Sequence, residues 1–222
     1  MHDSLKKLNL IENKISKITS SNQLKINPKI IAVSKTFAIN NITPLLEKGH
    51  IHFGENKIQE AENKWGNLKK KYPYCKLHMI GNLQSNKAKK AVNLFDFIHS
   101  LDTEKLASKI SHYEKELNKK VKIFIQVNVG NEIQKSGVSI KNLNNFYKYC
   151  SSDLSLDVIG LMCLPPINEN PSKYFKILMM KSKELKLLDL SIGMSNDYES
   201  AVLYGSTYLR LGTAIFGQRE IK

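Results

Sequence analysis

Short apolar runs alternate with amphipathic segments along the whole chain, and this alternation predicts the fold. Each apolar run is followed by a segment whose apolar residues recur every three or four positions, the spacing of a helix. The eight predicted strands span residues 30–33, 51–53, 76–80, 97–100, 121–129, 158–164, 188–192 and 208–211. Eight strand–helix units without a linker predict a single-domain (β/α)8 TIM barrel over residues 1–222. A doubly wound open sheet is the alternative that the pattern leaves open.

An additional helix is predicted ahead of the first strand. Apolar residues lie three or four positions apart between about residues 5 and 19, which indicates an amphipathic helix. These residues are Leu5, Leu8, Ile11, Ile15 and Ile18.

Composition and cysteine usage are typical of a soluble protein. Of the 222 residues, 41% are hydrophobic and 24% are charged, and no apolar run is long enough for a signal peptide or a membrane span. We therefore expect a cytoplasmic protein. Cys75, Cys150 and Cys163 lie far apart without a CxxC pair, which favours buried thiols over disulfides. No HxxxH or HExxH spacing occurs, so no metal site is expected.

The net charge of +14 raises nucleic-acid binding as an alternative function. The lysines are scattered over predicted helices, however, and are not interleaved with aromatic residues that stack on bases. No helix-turn-helix, zinc-finger or RNA-recognition signature is present. We therefore expect no dedicated nucleic-acid partner.

In a barrel, the residues that follow each strand line one mouth, where the chemistry of such folds collects. Lys35 follows the buried run 30–33 and would bring an amine to this mouth. An amine that is desolvated or lies near other cations forms Schiff bases with carbonyl compounds. The other predicted mouth segments are 54–56, 81–86, 136–137, 194–195 and 212–213.

The last two strands predict a phosphate site. Small residues follow both strands, including Ser195, Gly212 and Thr213, at positions where barrels commonly bind a phosphate through backbone N–H groups. Arg210 lies within the eighth strand among apolar residues and needs a partner there. That partner is either a buried carboxylate or a ligand ring nitrogen. An amine, a phosphate site and an arginine together favour pyridoxal 5′-phosphate (PLP) as the cofactor.

Two further residues have alternative interpretations. His78, near the end of the third strand, would contact the cofactor or be an ordinary core histidine. Asn56, after the second strand, would support the ring hydroxyl of the cofactor or cap the following helix.

Several motifs, in order, resemble the PLP homeostasis protein family (YggS/PROSC), whose fold is similar to the N-terminal barrel domain of alanine racemase. The resemblance spans nearly the whole chain. The motifs are Ala-Val-Ser-Lys-Thr at 32–36, Phe-Gly-Glu-Asn at 53–56 with Gln59 and Glu60, Ile-Gly-Asn-Leu-Gln-Ser-Asn-Lys at 80–87, Lys-Ser-Gly at 135–137, Gly-Leu-Met at 160–162, Gly-Met-Ser at 193–195 with Asp197 and Glu199, and Arg-Leu-Gly-Thr-Ala-Ile-Phe-Gly at 210–217.

The resemblance implies a role for each site residue. Lys35 would carry PLP as a Schiff base, and Arg210 would face the pyridine nitrogen. The phosphate would be held by Ser195, Gly212 and Thr213, and the ring would be lined by Met194, Asn56 and His78. The chain departs from common members of the family at Lys57, Asn82 and Asn196, where Tyr, Pro and Asp are frequent.

The resemblance also implies a function without robust catalysis. An arginine partner leaves the pyridine nitrogen largely unprotonated, so the ring is a poor electron sink. The second base of alanine racemase comes from a C-terminal domain of the partner subunit, and we expect this chain to lack such a base. We expect a monomer that buffers or delivers PLP, with PLP-dependent apo-enzymes as acceptors, in vitamin B6 and amino-acid homeostasis. A small racemase-type PLP enzyme is the alternative.

Overall fold

The structure is a computed structural model that describes residues 2–132 and 134–218. Nine parallel strands form its sheet. They are β1 Lys29–Val33, β2 His52–Glu55, β3 Lys76–Met79, β4 Phe97–Leu101, β5 Lys122–Asn128, β6 Val138–Ser139, β7 Asp157–Met162, β8 Asp189–Met194 and β9 Tyr208–Leu211.

Eight of these strands close into a barrel in the order β1-β2-β3-β4-β5-β7-β8-β9. Strand β1 pairs with both β2 and β9, and β4 pairs with β5, so the closed sheet has no open edge. The predicted TIM barrel is therefore confirmed, and the doubly wound sheet is excluded because such a sheet would leave two edge strands. Strand β6 is additional and pairs only with β5, where Val127 faces Val138.

Alternating residues of β1 show why the strands are apolar on both faces. Ile31 and Val33 belong to a cluster inside the barrel, whereas Ile30 and Ala32 pack in the layer between the barrel and the helices. Because parallel strands are covered on both sides, nearly every position of such a strand must be apolar. This is the pattern that identified β1 in the sequence.

Nine α-helices surround the barrel within the described ranges. They are α1 Asp3–Ser21, α2 Ile39–Glu47, α3 Ile58–Lys71, α4 Ala88–Leu94, α5 Glu104–Glu116, α6 Leu143–Lys148, α7 Pro171–Glu184, α8 Tyr198–Leu203 and α9 Thr213–Phe216. The predicted N-terminal helix is confirmed as α1, whose buried Leu8, Ile11 and Ile15 join the main core. None of the helices in these ranges is long and apolar enough to cross a bilayer.

The chain between β5 and β7 departs most from the regular strand–helix alternation. Instead of one regular helix, the structure has a 3-10 turn at Ile140–Asn142, then α6, then a π-helical turn at Tyr149–Asp153. A loop separates β5 from β6 and is described on either side of residue 133, which lies outside the described residues.

Candidate functional site

A cavity of about 650 Å³ lies at the carboxyl-terminal end of the barrel strands. Its volume is within the range of roughly 300–1,000 Å³ that is usual for small-molecule sites. Seven of the eight predicted site residues line it: Lys35, Asn56, Met194, Ser195, Arg210, Gly212 and Thr213. The fold therefore brings together residues that are as far apart as 178 positions in the sequence, as parallel strands with a common end require.

Lys35 is half-buried in a tight turn directly after β1. The residues on both sides of it are anchored. The hydroxyl of fully buried Ser34 donates to Glu55 Oε1 at 2.8 Å, and the backbone N–H of Thr36 donates to Glu60 Oε1 at 2.5 Å. Thr36 has a φ of 68°, in the left-handed region that a β-branched residue rarely adopts. The contact with Glu60 therefore holds the turn in an unfavourable backbone conformation.

A buried cation connects these anchors. Lys64 Nζ donates to the carbonyl oxygen of Ser34 at 2.8 Å, to Glu55 Oε1 at 2.9 Å and to Glu60 Oε1 at 3.0 Å. Only 8% of the Lys64 side chain and none of the Glu55 side chain is exposed. Burial raises the pKa of Glu60, but the Thr36 N–H and Lys64 outweigh burial and lower it overall. We call Glu55, Glu60 and Lys64 the turn anchor.

Arg210 is buried within β9 and has no carboxylate partner within ion-pair distance in residues 2–132 and 134–218. Its Nη1 donates to the carbonyl oxygen of Ser191 at 2.5 Å and to the Ser191 hydroxyl at 2.7 Å, and its Nη2 donates to the carbonyl oxygen of Cys163 at 2.9 Å. Burial lowers the pKa of Arg210, against the opposing effects of Cys163 and Asp197. Because a guanidinium keeps its proton in proteins, a positive charge remains beside the cavity.

The loops after β8 and β9 are connected through Ser195. Its hydroxyl oxygen accepts the backbone N–H groups of Gly212 at 3.3 Å and Ala214 at 3.1 Å. The backbone N–H of Met194 donates to Asp197 Oδ1 at 2.5 Å. Asp197 directly precedes α8, but its carboxylate is used by Met194 and makes no capping bond to the helix. These bonds place the hydroxyl of Ser195 and the backbone of Gly212 and Thr213 on one wall of the cavity.

Asn56 has a buried side-chain oxygen, Oδ1, without a hydrogen-bond partner in the described chain. Asn56 does not cap α3, because the capping position is Lys57 and no side-chain bond is made there. The backbone of Gly81 approaches so closely that a Cβ at this position would lie 2.3 Å from the Asn56 carbonyl oxygen. An unpaired buried acceptor beside a cavity is what a donor group of a ligand would satisfy.

His78 does not line the cavity in the described chain, and its contact with the cofactor ring stays a prediction. It is fully buried inside the barrel and stacks on Phe97 with ring centroids 4.2 Å apart. Its Nε2 lies 2.9 Å from His52 Nδ1, and its Nδ1 lies 2.9 Å from His99 Nε2. We call these three residues the histidine column. The core interpretation of His78 is thus the one that its position supports.

Sequence reasoning missed part of the cavity wall and the whole turn anchor. Pro165 and Pro166, directly after the predicted strand 158–164, line the cavity together with Ile167 and Glu169. Lys64 had a recognisable signal, because it lies three residues after Ala61 and four before Leu68 on the apolar face of α3. A charged residue on that face requires a buried partner.

No group of three metal-binding side chains is arranged to hold an ion in the part of the chain that the structure describes. All three cysteines are buried and unpaired, as the sequence predicted. Burial raises the pKa of Cys75 to about 11 and the pKa values of Cys150 and Cys163 to about 12.

Comparison with known proteins places this geometry in a family. The family described as "Alanine racemase, N-terminal domain" matches residues 7–220. The "Pyridoxal phosphate homeostasis protein" of Aquifex aeolicus is 37% identical over 201 residues, which cover 86% of this chain and 87% of the relative.

Solved structures agree with this result. PipY of Synechococcus elongatus PCC7942, solved with PLP bound, is 32% identical, with a TM-score of 0.79 over 91% of this chain and all of PipY. Alanine racemase of Clostridium difficile 630 shares the fold with a TM-score of 0.73, at 13% identity, over 99% of this chain and 57% of the racemase. The chain therefore belongs to the alanine racemase N-terminal domain family and, within it, to the pyridoxal phosphate homeostasis proteins.

Proposed function

We propose that this chain binds PLP in the cavity at the barrel mouth, with the cofactor held as a Schiff base on Lys35. PLP supplies an aldehyde, which condenses with a primary amine and releases one molecule of water. The observation that carries the proposal is the buried charge of Arg210, which lacks a carboxylate partner in the described chain and lines the same cavity as Lys35. A buried cation of this kind needs an electron-rich partner, and a pyridine nitrogen is one.

The remaining cavity residues fit the other polar groups of this cofactor. The hydroxyl of Ser195 and the backbone of Gly212 and Thr213 form the wall that we assign to the phosphate. The unpaired Oδ1 of Asn56 is an acceptor that suits the ring hydroxyl. PipY, with 32% identity to this chain, was solved with PLP bound, which supports the assignment of the cofactor.

We further propose that the chain stores or delivers PLP and does not catalyse robustly. Arg210 is donor-only, so it favours an unprotonated pyridine nitrogen and makes the ring a weak electron sink. The curated relatives are named for PLP homeostasis, which supports the same function. The proposed acceptors are PLP-dependent apo-enzymes, whose need for the cofactor links this protein to vitamin B6 and amino-acid homeostasis.

Borohydride reduction of protein incubated with PLP tests the attachment site. Peptide mass mapping is expected to find a reduced pyridoxyl group on Lys35 in the wild type and in the control Lys57→Ala, which removes an exposed lysine near the same mouth. The group is expected to be absent in Lys35→Ala. An adduct on another lysine in the wild type, or a protein that takes up no PLP, would contradict the proposal.

Turnover of free amino acids separates storage from catalysis. Each amino acid is incubated with PLP-loaded protein, and its enantiomers are quantified by chiral chromatography. We expect no difference between the wild type and Lys35→Ala. Racemisation that is lost in Lys35→Ala would instead favour the racemase-type alternative.

A further inference from the structure

A continuous line of hydrogen bonds runs through the barrel interior to Arg210. His52 Nδ1 and His78 Nε2 are 2.9 Å apart, His78 Nδ1 and His99 Nε2 are 2.9 Å apart, and His99 Nδ1 lies 2.8 Å from the Ser191 hydroxyl. That hydroxyl accepts from Arg210 Nη1 at 2.7 Å. His78, His99, Ser191 and Arg210 are all at least 96% buried, so these groups have no access to bulk water.

Arg210 determines the direction of the hydrogen bond between Ser191 and His99. A guanidinium only donates, so it uses one lone pair of the Ser191 oxygen. The hydroxyl hydrogen of Ser191 then needs an acceptor, and His99 Nδ1 is the one within reach in the described chain. If His99 Nδ1 carried a proton instead, the hydroxyl hydrogen of Ser191 would be buried without a partner, which is costly.

The same direction is then imposed on the rest of the column. With Nδ1 of His99 accepting, its Nε2–H donates to His78 Nδ1. His78 Nε2–H in turn donates to His52 Nδ1. All three imidazoles are therefore neutral and protonated on Nε2. Burial lowers the pKa of His52 to about 4 and the pKa values of His78 and His99 well below 6.5, in agreement with neutral rings at pH 7.

Aromatic stacking fixes the rings in these positions. The His78 ring lies 12° from parallel to Phe97, and the His99 ring lies 19° from parallel to Phe124 with centroids 4.3 Å apart. Stacked rings cannot rotate out of line without losing these contacts. The column therefore presents His99 Nδ1 to Ser191 in one orientation.

The column does not serve as a proton path to the cavity, because its last member is an arginine that does not release its proton. We propose that Ser191 and His99 are positioning residues, which hold the Arg210 guanidinium in the orientation that faces the cavity. The expected effect on PLP binding rests on the proposed function. The protonation pattern of the histidine column does not depend on PLP. The Ser191 oxygen fixes Arg210 Nη1, and His99 fixes the Ser191 hydroxyl.

Nitrogen-15 NMR of the ligand-free full chain tests the protonation pattern independently of PLP. Long-range proton–nitrogen spectra at pH 7 are expected to show His52, His78 and His99 as neutral Nε2–H tautomers. The variant His112→Gln, which changes an exposed histidine on α5, should leave these three signals unchanged and helps to assign them. A proton on Nδ1 of His99 would overturn the inference, whether or not the protein binds PLP.

Two variants of nearly equal size test the effect on the cofactor. His99→Asn keeps an acceptor oxygen near the former Nδ1, whereas His99→Leu has the same branched shape and no acceptor. Ser191→Ala removes a hydrogen bond to the charged guanidinium, and His99→Leu leaves the Ser191 hydroxyl hydrogen without its acceptor. We expect the Kd for PLP to rise about tenfold in both, and to stay within about threefold of the wild type in His99→Asn. A purely structural role would weaken binding equally in the two His99 variants.

The outcomes separate this inference from the proposed function. If the wild type binds PLP and His99→Leu binds as tightly as His99→Asn, the positioning role is wrong and the proposed function stands. If the wild type does not bind PLP, the proposed function fails. The measured histidine tautomers then still show whether the hydrogen bonds of the column run in the proposed direction. If a variant does not fold, the wild-type spectra still test the protonation pattern of the histidine column.

Discussion

The ammonium nitrogen of Lys64 lies 2.8 Å from the carbonyl oxygen of Ser34, the residue that precedes Lys35 in the chain. The same ammonium group contacts the carboxylates of Glu55 and Glu60. One buried cation in α3 thus fixes the backbone from which the candidate Schiff-base lysine projects. Replacing Lys64 therefore affects both folding and the site.

We expect Lys64→Met to lower the free energy of unfolding by about 3–5 kcal/mol, because Glu55 would remain buried without its counter-charge. Urea denaturation measures this change. The control is Lys90→Met, whose ion pair with Glu62 is about half exposed and whose loss should cost about 0–1 kcal/mol. Equal losses in the two variants would show that the turn anchor contributes no more than a surface ion pair.

Gly81→Ala is expected to destabilise the protein by about 1–3 kcal/mol and to weaken PLP binding. The added Cβ would lie 2.3 Å from the carbonyl oxygen of Asn56, so the backbone at the cavity wall must move. Gly66→Ala is the matched control, because a Cβ there meets nothing within 4 Å on the exposed side of α3. It should stabilise the protein by about 0.5–1 kcal/mol. Thermal unfolding and PLP titration of both variants check this pair.

Asn56→Ala should separate binding from stability. Because Oδ1 of Asn56 has no partner in the described chain, its removal should leave the unfolding free energy of the ligand-free protein within about 0.5 kcal/mol of the wild type. The Kd for PLP should rise about tenfold. In the comparison variant Asn128→Ala, by contrast, stability should fall, since the Asn128 side chain donates to and accepts from the backbone of Glu132. A large loss of stability in Asn56→Ala would contradict this assignment.

The buried histidines should make the protein less stable as the pH falls from about 6.5 towards 4. Burial lowers the pKa values of His50 and His52 to about 4, and those of His78 and His99 are also lowered. In this window the unfolded chain takes up protons that the folded chain does not, so unfolding becomes easier with acidification. Each histidine contributes up to about 1.4 kcal/mol per pH unit.

Urea denaturation at pH 7.5, 6.5, 5.5 and 5.0 measures this slope above the range in which most carboxylates titrate. His52→Gln should reduce the slope by up to one proton's contribution. An unfolding free energy that does not change between pH 6.5 and 5.0 would show that the histidines take up protons in the folded protein as readily as in the unfolded chain, which would contradict this prediction.

The barrel was predictable because each of its strands is covered on both faces and must be apolar. The run 30–33 shows this most clearly, since all four side chains are buried. The two-residue strand β6 was not predictable, because Val138 and Ser139 form no apolar run and pair only where β5 extends far enough to meet them. The π-helical turn after α6 likewise follows from tertiary packing and leaves no periodic signal.

Site residues that directly follow the end of a strand could be predicted from the sequence. Whether a residue within a strand reaches the cavity or lies deeper inside the barrel could not. Lys35, Ser195 and Thr213 all follow the ends of strands and reach the cavity. His78 precedes the end of β3 by one residue, and its side chain points into the barrel, where it contacts His99. His99 in turn contacts Ser191, the hydrogen-bond partner of Arg210. Sequence spacing does not reveal such cross-strand contacts, because they depend on the register of strands that are far apart in the chain.

The buried cysteines have a consequence for the selectivity of the proposed aldehyde chemistry. Aldehydes add to thiolates as well as to amines, and the thiolate is the reactive form of cysteine. With pKa values raised to about 11 and 12, the three thiols are ionised to only about one part in 10⁴ to 10⁵ at pH 7. The aldehyde proposed for the cavity therefore meets no readily ionised thiol among these three cysteines, and the same burial shields the thiols from oxidants.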